Sequence, residues 1–216
     1  MIKLLTFSTL YPSAVKPNHG IFVETRLRQL VASGEAESVV VAPVPWFPFK
    51  SERFGEYAKF ARTPREEIRS GIRVLHPRYP LLPKLGMTSA PLSLALGARR
   101  TLTRLRDEGY DFDLIDAHYF YPDGVAAALL GRYFNKPVVI TARGTDINVI
   151  PRHALPRAMI CWAARHAAAN ITVCQALKDE MIKLGIDGER IVPLRNGVDL
   201  EHFQPIDRAA RRRELG

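Results

Sequence analysis

Seven short apolar runs, each separated from the next by a stretch of helical period, limit what this chain can fold into. The runs are IKLLTF (2–7), SVVVAP (38–43), IRVLHP (72–77), FDLIDAH (112–118), PVVIT (137–141), ANITVC (169–174) and RIVPL (190–194). Their apolarity is continuous rather than alternating, which predicts strands covered on both faces, as in a parallel sheet between helix layers. Between them, Val23, Leu27, Leu30 and Val31 make one apolar stripe that Gly34 ends. A second helix is predicted from Ser89, with Pro91 near its first turn. It sets Leu92, Leu96, Leu102 and Leu105 against a basic strip of Arg99, Arg100, Arg104 and Arg106. Further helices are predicted around 123–134, 152–168 and 175–184. The alternation defines a doubly wound α/β fold. Residues 44–71 break the pattern: Pro, aromatic and basic residues mix there without a period, in a stretch too long for an ordinary loop.

A chain of 216 residues suffices for one large domain or two small ones. No apolar run approaches the roughly 20 residues of a membrane span. The sequence enters a strand almost at once, without a basic-then-apolar leader, and Cys161 and Cys174 have no metal or redox spacing, so a reduced cytoplasmic setting is expected. Lys and Arg number 31 against 22 Asp and Glu, a net +9. That balance favours an anionic partner. Zinc-finger spacing, an RNP-type strand and a clear helix-turn-helix are all missing, which argues against nucleic acid. A phosphorylated ligand or an acidic membrane surface remains, beside plain solubility.

Ligands of an open parallel sheet bind beyond the carboxyl ends of its strands. After the first strand comes STLYPSAVKPNHG (8–20), with His19 and Gly20 at a helix start suited to a phosphate. The sequence has no G-x-G-x-x-G in this loop and no phosphate-binding G-x-x-x-x-G-K-[ST] anywhere, which counts against dinucleotide oxidoreductases and P-loop enzymes. His118 closes the fourth strand in DAHYFYPDG (116–124), where an imidazole can meet a sugar hydroxyl or a proton, or simply bond to backbone. TARGTDINV (141–149) offers Arg143 for a phosphate or carboxylate, Gly144 for close backbone approach and Asp146 for sugar hydroxyls, with a cap on the following segment as the alternative for Asp146. Asn196 and Gly197 in RNGVDLEHFQP (195–205) read by themselves as a turn, and stand with the expected substrate-binding residues because this loop too follows a strand end. Asp111 and Asp113 form a D-x-D at the start of the fourth strand, away from the crevice, so no metal is expected.

In order, NHGIFVE (18–24), DLIDAHYFYPDGVAA (113–127), PVVITARGTDI (137–147), ITVCQALKDEM (171–181) and LGIDGERIVPLRNGVDLEHFQP (184–205) resemble the N-terminal domain of GT-B-fold retaining glycosyltransferases of family 4 (group 1). The resemblance runs over nearly the whole chain and is loosest at 44–90. It implies a Rossmann-like domain over 1–205, mostly holding the acceptor, and the start of an interdomain segment at 206–216. A second domain with the donor-gripping E-x7-E motif would follow beyond this chain, and this chain alone would not turn over. By position, His118 matches the family histidine that reaches the donor sugar, and is the expected catalytic residue. Gly20 matches the glycine lying against the donor phosphates. Arg143 departs from the family, which more often has histidine there, and Cys174 stands where serine commonly caps a helix.

The implied reaction moves a sugar from a nucleoside diphosphate to a polysaccharide or lipid-linked acceptor, with retention and without metal or cofactor. Assembly of exopolysaccharide, teichuronic acid or lipopolysaccharide is the implied setting, peripheral on an anionic inner membrane face. Two alternatives stand beside it: a GT-B-fold nucleotide-sugar epimerase, and a non-catalytic domain binding carbohydrate or phosphate.

Overall fold

The computed structural model describes residues 1–81, 86–198, 200, 203–205 and 207–215. Its first half contains β1 (Ile2–Phe7), α1 (Ile21–Ala32), β2 (Ala36–Val41), β3 (Val44–Pro45), α2 (Glu56–Arg62), β4 (Glu66–Arg69), β5 (Ile72–Leu75), β6 (Arg78–Tyr79) and α3 (Gly86–Asp107). The second half contains β7 (Leu114–His118), α4 (Val125–Phe134), β8 (Val138–Ala142), α5 (Thr145–Asn148), α6 (Ala154–His166), β9 (Ala169–Thr172), α7 (Gln175–Lys183), β10 (Ile191–Pro193) and α8 (Arg208–Leu215). All seven predicted strands form, within a few residues of their predicted bounds.

Eight strands make one sheet in the order β10-β9-β8-β7-β1-β2-β5-β4. Every pairing is parallel except β4 with β5. The chain starts at the centre, builds outward through β2 and β5, then returns to β7 on the other side of β1. The seam between β1 and β7 is therefore the topological switch point, where loops diverge and open a crevice. Two cores cover the sheet. Leu94, Leu102, Leu105, Ala126, Leu130 and Ile160 from α3, α4 and α6 pack on one face. Val23 and Leu27 of α1 pack with Tyr11, Val40, Ile72 and Val74 on the other.

The structure corrects several expectations. The second helix begins at Gly86, so Pro91 lies inside it rather than near its first turn. Leu92 and Leu96 are 57% and 56% exposed, because the buried stripe is Leu94, Ala95, Ala98, Leu102 and Leu105. Arg104 and Arg106 of the basic strip are ion-paired with Glu108 and Asp111. Leu30 is exposed at the margin of its stripe. Residues 44–71 are not one unbroken excursion, since β3 pairs with β6 and β4 folds back on β5. Residues 194–198, where Asn196 and Gly197 signalled a turn, carry no turn or bend. Helix α8 occupies Arg208–Leu215, while Ile206 and Gly216 lie outside the described residues.

Candidate functional site

The site is built on β7. Successive residues of a strand face opposite ways, so Asp116 and His118 share one face. The Asp116 carboxylate accepts from His118 Nε2 at 3.1 Å. On the other side of the ring, Arg143 Nη2 donates to His118 Nδ1 at 2.7 Å. A guanidinium has only donors, so Nδ1 carries the lone pair and Nε2 the proton. Burial holds the His118 pKa below its ordinary value, with the Arg143 and Arg26 charges adding to the effect against Asp116. The ring is therefore neutral at pH 7. Burial opposes the charge of Asp116, but His118, Arg26 and Arg143 keep its pKa below the ordinary carboxylate value.

Arg143 follows β8, which pairs His118 with Thr141. Its guanidinium lies 4.9 Å from the Phe22 ring of α1, and Nη1 donates to Asn196 Oδ1 at 3.2 Å. Its buried Nε has no partner. Burial and the neighbouring Arg26 pull its pKa down to about 10, so it remains a cation at neutral pH. Arg26, one turn beyond Phe22, donates to Thr141 Oγ1 at 3.3 Å. Two arginines thus converge on one carboxylate, and the crevice wall is electropositive.

Asp146 is placed differently from the expectation that it offers oxygens to a sugar. It is fully buried and accepts the backbone N–H of Phe120 at 2.7 Å, of Gly144 at 2.7 Å and of Arg143 at 3.1 Å. Its carboxylate ties the loop after β7 to the loop after β8. Burial raises its pKa, and those three donors work against the rise. Gly144 supplies the bend with φ 140°, a value other residues rarely adopt. Tyr119, beside His118, also holds a positive φ of 84°, a strained conformation of the kind that gathers at functional sites.

The first loop joins from β1. Ser8 Oγ donates to the His118 carbonyl at 3.2 Å. The Thr9 N–H and hydroxyl both donate to Asp123 Oδ2, at 3.0 and 2.9 Å. Asp123 is fully buried and its Oδ1 has no partner; burial pushes its pKa up to about 7. Gly20 caps α1 at φ 67°, and a Cβ there would stand 2.2 Å from the Leu10 carbonyl oxygen. That close crossing requires glycine whatever the helix terminus binds. His19 is exposed as a residue but its ring is partly covered, with Nε2 3.2 Å from the Thr9 carbonyl; that partial desolvation, together with Lys16, lowers its pKa.

His118, Arg143 and Asn196 therefore form one bonded chain, with Gly144 beside it. His19 and Gly20 are linked to it through Ser8 and Thr9. Gly197 adjoins Asn196, with open space where a side chain would stand. Asp111 and Asp113 lie at the opposite end of β7, bonded to Lys136 and to the Lys3 backbone. Sequence reasoning missed Asp116, Arg26, Phe22, Thr9 and Asp123. It also missed a hollow of about 280 Å³ between the loops after β1, β2 and β5, walled by Tyr11, Lys16, His19, Phe60, His76 and Tyr79.

A mostly parallel, Rossmann-like sheet with a histidine, two arginines and a helix N-terminus at its switch point fits the N-terminal domain of a GT-B fold. The family model for Glycosyltransferase Family 4 matches residues 22–202, and the chain belongs to that family. It is 31% identical over 206 residues to TuaC of Bacillus subtilis (strain 168), which bears the name of a teichuronic acid biosynthesis glycosyltransferase; the match covers 94% of this chain and 51% of that one. Among solved structures, the sucrose-phosphate synthase of Thermosynechococcus elongatus superposes with a TM-score of 0.67 at 13% identity, over 100% of this chain and 52% of the other. HepE of Anabaena, in complex with UDP, superposes with a TM-score of 0.55 at 17% identity, over 100% and 50%. The chain spans about half the length of the relatives it matches.

Proposed function

We propose that this domain is the acceptor-side half of a retaining, metal-independent glycosyltransferase acting on a nucleoside diphosphate sugar. The observation that carries the reading is the His118 ring, held between Asp116 and Arg143 at the switch point of a family 4 domain. In the reaction, the bond from the anomeric carbon to the diphosphate oxygen breaks. A bond from that carbon to the acceptor oxygen forms on the same face, and the acceptor proton passes to the leaving phosphate. Arg143 and Arg26 supply positive charge where the diphosphate develops negative charge, joined by the N–H groups at the start of α1. Arg143 is a phosphate-gripping residue rather than an acid or base, since a guanidinium does not release its proton here.

In the structure both ring nitrogens of His118 are engaged. When Arg143 turns to the donor phosphates, Nδ1 is released as an acceptor for a sugar hydroxyl, so His118 orients the donor sugar. The hollow beside Tyr11 and Tyr79 receives the acceptor sugar. Its aromatic walls suit a sugar ring, and its volume of about 280 Å³ is close to the lower end of small-molecule sites. A polysaccharide or lipid-linked acceptor at an anionic membrane surface completes the reading, and among the described residues no helix is long and apolar enough to cross a membrane. UDP bound to HepE favours a nucleotide-sugar donor, and the transferase family favours transfer over epimerisation or simple binding.

The test is sugar transfer by the complete product of the reading frame, including whatever follows Gly216, offered a panel of nucleoside diphosphate sugars. His118→Ala is expected to abolish transfer while circular dichroism stays native. Full activity of that variant sinks the assignment, and inversion of the free sugar nucleotide without an acceptor points to the epimerase.

A further inference from the structure

Large apolar side chains crowd one rim of the molecule. Leu92 and Leu96 of α3 face out, as do Trp46 and Phe49 after β3, at 59% and 53% exposure. Strand β6 joins the two groups. The Trp46 N–H donates to the Tyr79 carbonyl at 2.8 Å, and Gly97 lies so close that a Cβ there would stand 2.8 Å from the Arg78 carbonyl oxygen. Met87, exposed in the first turn of α3, extends the rim. The aromatic part is stiff: Phe49 stacks on Phe54 with centroids 5.1 Å apart, and Phe47 meets Phe54 and Tyr57 at 5.4 and 5.3 Å.

Charge is distributed with the same order. Helical spacing places Leu92, Leu96, Arg99, Arg100 and Thr103 in one outward stripe, opposite Leu94, Ala98, Leu102 and Leu105. Helix α3 has no acidic residue before Asp107. Arg99 lies 5.3 Å from the exposed Tyr133 ring, and among the described residues neither Arg99 nor Arg100 is in an ion pair. Glu52 and Glu56, the acids nearest the aromatic segment in sequence, are already paired with Arg62 and with Lys16 and Lys59. Along the outward stripe of α3 the two leucines are followed by Arg99 and Arg100, and the first acid, Asp107, comes only in the last turn. Apolar groups followed by cations match a layer of hydrocarbon under phosphates.

We propose that this rim is the membrane-docking surface. Trp46, Phe49, Leu92 and Leu96 enter the headgroup boundary of an anionic bilayer, and Arg99 and Arg100 meet its lipid phosphates. The proposal rests on the membrane part of the reading above and names the surface that performs it. The docked face borders the loops after β2 and β5, so the 280 Å³ hollow opens beside the lipid surface from which a lipid-linked acceptor would arrive.

The experiment is sedimentation of the protein with vesicles of phosphatidylglycerol and phosphatidylcholine at low salt, with pure phosphatidylcholine as control. The protein is expected to pellet with the mixed vesicles only. Trp46→Ala with Phe49→Ala, or Leu92→Ser with Leu96→Ser, should each reduce partitioning about tenfold or more, and Arg99→Gln with Arg100→Gln about fivefold per arginine. Circular dichroism and gel filtration check that the variants fold. Failure of the unaltered protein to pellet overturns the membrane reading and this surface together. Pelleting that ignores the rim variants, but is lost on Arg152→Gln with Arg157→Gln beside α6, overturns the surface and leaves membrane attachment standing. A dimer on gel filtration that the rim variants break assigns the rim to self-association and overturns the proposal.

Discussion

Arg143 Nη2 donates to His118 Nδ1 at 2.7 Å, so a cation and a neutral imidazole share the mouth of the crevice. The bond fixes the tautomer, with the Nε2 proton directed at Asp116. It also makes His118 report on Arg143, whose charge helps to hold the imidazole pKa down.

Arg143→Gln removes a facing cation, so the His118 pKa should rise toward its ordinary value, read from imidazole carbon shifts in an NMR titration. In transfer assays the same variant should raise KM for the donor by about tenfold or more, the loss of one charge-assisted phosphate contact. An unmoved His118 titration counts against the Arg143–His118 bond, and an unchanged donor KM against the phosphate grip.

Asp123 should make stability fall as pH rises. Its folded pKa of about 7 lies above the ordinary carboxylate value, so between roughly pH 4 and 7 the folded protein holds a proton that the unfolded chain has lost. Its contribution is fully present below about pH 4 and is gone above about pH 7. Asp123→Asn cannot ionise and should flatten this slope, gaining on the parent by about 2–4 kcal/mol at pH 8 relative to pH 4 in urea unfolding. Parallel pH profiles for the two proteins refute it. His118 acts with the opposite sign, since its lowered pKa costs stability once pH falls below about 6.5, so the comparison between variant and parent is what isolates Asp123.

Gly20→Ala should destabilise the domain by at least about 2 kcal/mol, through a positive φ and a Cβ 2.2 Å from the Leu10 carbonyl oxygen. Thermal unfolding measures it, and a native-like midpoint would mean that the first loop yields easily.

Cys174 stands at the N-cap of α7 in an extended conformation, with no side-chain hydrogen bond to the helix. Serine there can accept from the free amides of the first turn. Cys174→Ser should therefore stabilise by about 0.5–1 kcal/mol, read as a shift in urea midpoint without a change in slope.

Much of the site was legible because strand ends and loops follow one another in a fixed order. His118 and Arg143 were found that way. Asp116 was missed, although D-x-H on a strand already places both side chains on one face. Arg26 and Phe22 carry a helical spacing, but only the docking of α1 on the sheet aims them at β8. Asp123 sits in a Pro-Asp-Gly that reads as a helix start, and its burial depends on the first loop folding over it. Leu92 and Leu96 were assigned to the wrong side of α3 because leucines at 92, 94 and 96 fit either face. Arg99 and Arg100 held the answer, since they lie one and two turns beyond those residues on the same side and demand solvent.

The borders of the eight-stranded sheet are closed by chemistry rather than by neighbours. At one end β10 finishes in Pro193, which has no N–H to lend. At the other, β4 runs against the rest and carries Glu66, Glu67 and Arg69 among its four residues, with Arg69 tied inward to Glu24 at 3.0 Å. A foreign strand arriving at either margin finds no matching ladder. The fold can therefore leave a greasy rim in the open while the main sheet stays closed to growth, because the rim and the two margins of that sheet are different places.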